Sequence, residues 1–271
     1  MFTTPTTDTS RTATPATATP ATATPAPTAD TTRRSAALWA GLGYAALFVL
    51  AILANFGVRT RLVDPDDPAA TLGNLAANES LVRLSMAAFA LVFVIDIVVA
   101  WALYVVLSPE GPRRSLLAAW LRLGYTVLLG VAVTFMFLAL ELATTDSGAL
   151  EPAARETGVM LALDAFDITW LVGLLAFGAH LIIVGRILLT WRGGPRMLGA
   201  VLAVAGAAYI ADTLAHLVLV DYARYADILL AMVAVPSVVA ELWFTIWLLT
   251  RARRLPEREA TTEMVRGTAR G

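Results

Sequence analysis

Six runs of mostly apolar residues, at about 36–58, 84–107, 116–143, 160–189, 197–220 and 228–250, are separated by shorter polar breaks. Each run exceeds the ~20 residues a helix needs to cross a ~30 Å hydrocarbon core. Only helices and closed barrels satisfy backbone polar groups in lipid, and unbroken runs of this length are not strands. The pattern predicts an all-α fold, a polytopic six-helix transmembrane bundle over 36–250. The third and fourth runs are long enough to tilt or to protrude.

The breaks carry their own predictions. The connections at 108–115 and 190–196 are short, so runs 2 and 3, and runs 4 and 5, pack as antiparallel neighbours. Pro109, Gly111, Pro112, Gly193, Gly194 and Pro195 are turn residues that stop one helix and start the next. The break at 59–83 is longer and acidic at Asp64, Asp66 and Asp67, and its stretch 69–84 has room for a short interfacial helix. Small residues at Gly199, Ala203, Gly206, Ala207, Ala211 and Ala215 in run 5 mark a face where helix backbones approach closely. Pro236 in run 6 deprives the Met232 carbonyl of its hydrogen bond and predicts a kink, with Ser237 placed to satisfy the freed group.

The ends differ in kind. Residues 1–35 are mostly Thr, Ala and Pro, and a five-residue unit recurs at 16–20 and 21–25. Such a segment has almost nothing to bury and is expected to be a disordered tail. It carries neither the basic start nor the apolar stretch of a secretory signal. Residues 251–271 form a short charged tail.

Composition strengthens the membrane reading. The chain is 58% hydrophobic and only 15% charged, with a mean hydropathy of +0.71. Average soluble domains run near 45–50% apolar and about 25% charged. A net charge of −1 lacks the basic surface of a nucleic-acid binder. Membrane lipids are the expected partners, and a protein partner or a second copy stays open. There is no cysteine, so disulfides and thiolate metal sites are excluded. All twenty basic residues are arginine. Nine stand at the breaks and ends on the side of the termini: Arg33, Arg34, Arg113, Arg114, Arg192, Arg196, Arg251, Arg253 and Arg254. Five (Arg59, Arg61, Arg83, Arg155 and Arg224) stand on the opposite side. That bias places both termini in the cytoplasm. Trp39, Trp101, Trp120, Trp191 and Trp247 fall toward the same ends, as an interfacial belt would.

Ionisable residues at membrane depth are the informative positions, because each costs roughly 2.5–3.5 kcal/mol at the bilayer centre on insertion scales. Asp96 and Glu241 fall near the midplane. Arg122 and His180 lie toward the cytoplasmic half, and Glu141, Asp164, Asp167, Asp212 and His216 toward the outer half. Depth and helical face suggest two groupings. Asp96, Arg122, His180 and Glu241 form an inner one, provided runs 2, 3, 4 and 6 face one another. Asp212 and His216, four apart, share a face with each other, and so do Asp164 and Asp167, three apart; with Glu141 they make the second grouping, an outer acidic and histidine cluster. His180 points nearly opposite to Asp164 and Asp167, so the groupings stay separate. Each position has a plain alternative. Arg122 snorkels, the midplane acids are neutral packing carboxyls, the histidines are satisfied core residues, and the outer acids reach water.

Motifs of known chemistry are mostly missing. There is no His-Glu-x-x-His run, no phosphate-loop glycine pattern and no Gly-x-Ser-x-Gly elbow. No cofactor is expected. One enzymatic alternative remains, a metal-dependent membrane enzyme acting on lipid, with Asp167, Asp212 and His216 as ligands. The reading favoured is a non-enzymatic membrane protein, either a small transporter or an accessory protein, with Asp96, Glu241 and His180 as relay or contact residues.

Particular strings carry a family resemblance. They are Asn78-Glu79-Ser80 through Arg83, Phe93 to Asp96, Ala100 to Tyr104, Leu117 to Arg122, Gly178 to Leu181, Pro195 to Gly199, Ala205-Gly206 with Tyr209 and Asp212, and Glu241 through Trp247 to Leu249. Over about 36–250 the chain resembles the domain-of-unknown-function family 4386. That resemblance implies a bacterial multi-helix integral membrane protein in the plasma membrane, and it assigns no site residues.

Overall fold

The computed structural model describes residues 29–145 and 150–250. Seven helices account for nearly all of them: α1 (Ala29–Ile52), α2 (Pro68–Ala77), α3 (Glu79–Leu107), α4 (Pro112–Thr144), α5 (Pro152–Thr190), α6 (Arg196–Val218) and α7 (Ala226–Thr250). All but α2 are long and apolar enough to cross a membrane, and this is a multi-pass membrane protein.

The boundaries extend the expected runs at several ends. Residues 29–35, assigned to the tail by composition, open α1 instead. The last proline before them is Pro27, so nothing in 29–35 removes a helical donor. The rest of that tail, and the charged segment 251–271 with Arg251, Arg253 and Arg254, lie outside the described residues. At its far end α1 runs into π-helical turns over Leu53–Arg59 and a last α-turn over Thr60–Leu62. The pattern of apolar residues gave no hint of this widening. The Ser85 hydroxyl of α3 donates to the Ala54 carbonyl there at 3.1 Å, satisfying a group inside the loosened segment.

The long break contains the expected short helix. Asp67 caps α2, its carboxylate accepting from the Ala70 amide at 2.9 Å, and Pro68 takes the first helical position. Thr71 ties the segment back, accepting from the Asp64 amide at 2.8 Å and donating to the Asp64 carbonyl at 2.9 Å. The acidic residues of this break therefore build a turn.

The six long helices form a closed ring. Each packs on its neighbour in sequence, and α7 returns to α1. The short connections do make α3 and α4, and α5 and α6, adjacent. Gly193, at φ +77°, supplies the left-handed residue of the second turn. The tightest seam is α5 against α6. A Cβ at Gly178 would stand 2.6 Å from the Gly206 carbonyl oxygen, and one at Gly185 would stand 2.5 Å from that of Gly199. Gly199, Ala203 and Gly206 of run 5 mark a close approach, as expected, against Gly178 and Gly185 of α5, whereas Ala207 and Ala211 are exposed and lie outside it.

Two apolar clusters stack along the bundle. One holds Leu107, Leu181, Leu188, Phe244 and Trp247, and the other Phe89, Leu129, Leu140 and Phe166. Leu47 and Tyr125 pack against both. Trp39, Trp101 and Trp120 are exposed, as belt residues would be. Trp191 and Trp247 are not. They are buried edge-to-face with centroids 5.8 Å apart, and the Arg33 guanidinium lies 5.3 Å from the Trp191 ring centre. Ser237 also departs from expectation. Its hydroxyl donates to the Ala234 carbonyl at 3.2 Å rather than to that of Met232.

Candidate functional site

Arg122 is the largest fully buried side chain. It does not snorkel. Its Nε and Nη2 both donate to Asp96 Oδ1, at 2.9 and 2.5 Å. Thr126, one turn along α4, donates its hydroxyl to the other Asp96 oxygen. Nη1 donates to the Tyr44 hydroxyl at 2.6 Å and lies 3.4 Å from His180 Nε2. The guanidinium also sits over the rings of Tyr44 and Phe177, at 4.6 and 5.5 Å from their centroids. One cation thus ties α1, α3, α4 and α5 together at membrane depth.

His180 is oriented by the backbone. Its Nδ1 stands 2.8 Å from the Ala118 carbonyl oxygen, which can only accept. Nδ1 therefore carries the hydrogen, and the Nε2 lone pair faces Arg122, the arrangement of a neutral imidazole.

A cavity of about 350 Å³ lies beside this pair and is walled by residues of all six long helices. That volume is in the range of small-molecule sites. Asp96, Arg122 and Glu241 all face it. Glu241, on α7, accepts from the Tyr209 hydroxyl of α6 at 3.3 Å and forms no ion pair with Arg122. All four members of the inner grouping thus meet at one place, three as a bonded cluster and Glu241 across the hollow. Sequence reasoning missed Tyr44, Thr126, Tyr125 and Trp170. Thr126 had a usable signal, since it stands four residues after Arg122 on the same face.

The outer residues behave differently. Asp167 forms an ion pair with Arg59, whose guanidinium also lies over the Phe166 ring at 5.0 Å. Asp212 accepts from Tyr222 at 2.8 Å, and the His216 ring lies against Tyr222 with centroids 4.2 Å apart. Burial, and then the Asp212 carboxylate beside it, push the Tyr222 hydroxyl up to about 12, so it remains a donor near neutrality. Asp167 and His216 border one hollow, but Asp212 does not join them. Among the described residues no group of three or more His, Asp or Glu side chains stands close enough to hold a metal ion. The trio expected for a metal site is therefore not assembled. An arginine reaches Asp167 first, and a tyrosine of the α6–α7 connection takes Asp212.

The profile of a protein family described as a domain of unknown function (DUF4386) matches residues 39–252. The chain belongs to the DUF4386 family. The match covers five of the long helices whole, α1 from Trp39 onward, and every residue of the inner cluster, which is therefore part of this DUF4386 domain. No curated protein and no solved structure matches the chain.

Proposed function

We propose that this protein is a membrane carrier, or a membrane binding protein, for a small solute held in the central cavity. The observation that carries the reading is the unequal state of the two midplane acids. Asp96 is fully engaged by Arg122 and Thr126, whereas Glu241 faces the hollow with one tyrosine as its partner. A charge buried in a bilayer is costly, and residues that retain one there commonly line ion or solute paths. Asp96, Arg122 and His180 serve as the fixed anchor, and Glu241 as the group that exchanges its partner for a proton or a solute. The arginine bias supports cytoplasmic termini as part of this reading, and the family resemblance supports a bacterial plasma membrane as its setting.

The test is charge movement in proteoliposomes adsorbed to a solid-supported electrode. Amines, amino acids, sugars, nucleosides and carboxylates are perfused in turn. A transient current with at least one class, abolished in Glu241→Gln, supports the reading. Silence with every class, from protein that still elutes as a folded species, overturns the carrier.

A further inference from the structure

Charge arithmetic and position together identify what the cavity accepts. Its ionisable walls are Asp96, Arg122 and Glu241. Asp96 and Arg122 cancel. Arg122 also directs four of its five N–H donors to Asp96, Tyr44 and His180, so its charge is already matched before a ligand arrives. One acidic group is left over. A carboxylate can accept several hydrogen bonds, and Tyr209 supplies one.

The walls around that acid are aromatic. Tyr125, Trp170 and Tyr209 border the hollow, and among the described residues no cation lies over any of these rings. Arg122 covers Tyr44 and Phe177 instead. These rings also pack on other aromatics, Tyr125 and Tyr209 on Phe177 and Trp170 on Phe166, and what they offer the hollow is an aromatic lining beside an acid, the chemistry that recognises an ammonium group.

The mouth decides how the ligand arrives. Ile52 of α1 and Val238 of α7 line the cavity and are each 42% exposed. Val238 stands midway along Ala226–Thr250, at the depth of the acyl chains. An opening there faces hydrocarbon rather than water.

We infer that the cavity binds an amphiphilic cation, an ammonium head on an apolar body, which enters sideways from the bilayer between α1 and α7. The head lies against Glu241 between Tyr125, Trp170 and Tyr209, and the body lies toward Ile52 and Val238. This rests on the reading of the cavity as a ligand site.

The test uses the full chain in nanodiscs of zwitterionic lipid and three probes of similar size. These are benzyltrimethylammonium, its uncharged isostere neopentylbenzene, and benzenesulfonate. Binding is followed by calorimetry. The cation is expected to bind at least tenfold more tightly than either of the others. Glu241→Gln, which keeps the side-chain shape, is expected to remove that preference. Val238→Trp, on the exposed rim, is expected to block the cation while leaving helicity and elution unchanged. Equal binding of the isostere, tighter binding of the sulfonate, or no binding of any probe to folded protein would overturn the inference. Cation binding without any solute-driven current leaves the inference standing and removes the carrier. A current driven by an anionic or neutral solute alone does the reverse.

Discussion

Arg122 directs two guanidinium donors to the same oxygen of Asp96, at 2.9 and 2.5 Å, and Thr126 takes the other oxygen. Both side chains are only 2% exposed. The pair is internally complete, so it locks four helices and leaves the chemistry of the cavity to Glu241.

Removing one partner of that pair is expected to hurt more than removing both. A lone buried charge costs about 3–5 kcal/mol, whereas a neutral pair leaves no charge stranded. Asp96→Asn and Arg122→Gln should each lower the unfolding midpoint in mixed micelles strongly. The double variant should recover part of the loss, giving a coupling of about 1 kcal/mol or more. Strictly additive losses would contradict the lock.

The α5–α6 seam predicts a contrast between glycines. Gly185→Ala places its methyl against the Gly199 carbonyl and should destabilise by about 1–3 kcal/mol. Gly124→Ala, with open space around it on an exposed face of α4, should be neutral or stabilising by up to about 1 kcal/mol. Thermal scanning of the two variants side by side checks this. Equal shifts would mean that the seam is not closely packed.

Asp167 is held by Arg59 near the end of the bundle, and its side chain is 48% exposed. Exposed pairs contribute about 0–1 kcal/mol. Asp167→Asn should therefore change stability by less than about 1 kcal/mol and leave the metal content of purified protein unchanged. Loss of a stoichiometric metal in this variant would restore the metalloenzyme alternative.

The helices were legible in the sequence because lipid imposes length and hydropathy on every crossing, and the short connections made two adjacencies legible, α3 with α4 and α5 with α6; the other contacts of the ring were not. Asp96, Arg122, His180 and Glu241 were legible as a group for the same reason, since a charge at that depth has to find company. What escaped was local geometry. Nothing in the apolar run around Leu53 distinguishes π-helical turns from α-helical ones, and those turns help bring Asn55 to the cavity wall. Trp191 and Trp247 sit at belt height, yet which face of a helix meets a neighbour depends on packing. Asp212 and His216 did share a face, but Tyr222, in a connection without periodicity, decided what they touch.

The cavity inside the ring has mostly apolar walls carrying a few polar groups, among them Asn55, Asp96, Arg122 and Glu241, and the cysteine-free chain allows its accessibility to be measured directly. Leu53, Ala54 and Asn55 are consecutive: Leu53 is 56% exposed on the lipid-facing surface, Ala54 is buried, and Asn55 lines the cavity. Single cysteines at the three positions are reacted with N-ethylmaleimide in nanodiscs. A thiol reacts through its thiolate, which forms in polar surroundings and not in hydrocarbon or a packed core. Asn55→Cys should react roughly tenfold or more faster than Leu53→Cys and Ala54→Cys. Equally slow reaction at all three would mean a dry, closed bundle with no ligand-accessible cavity.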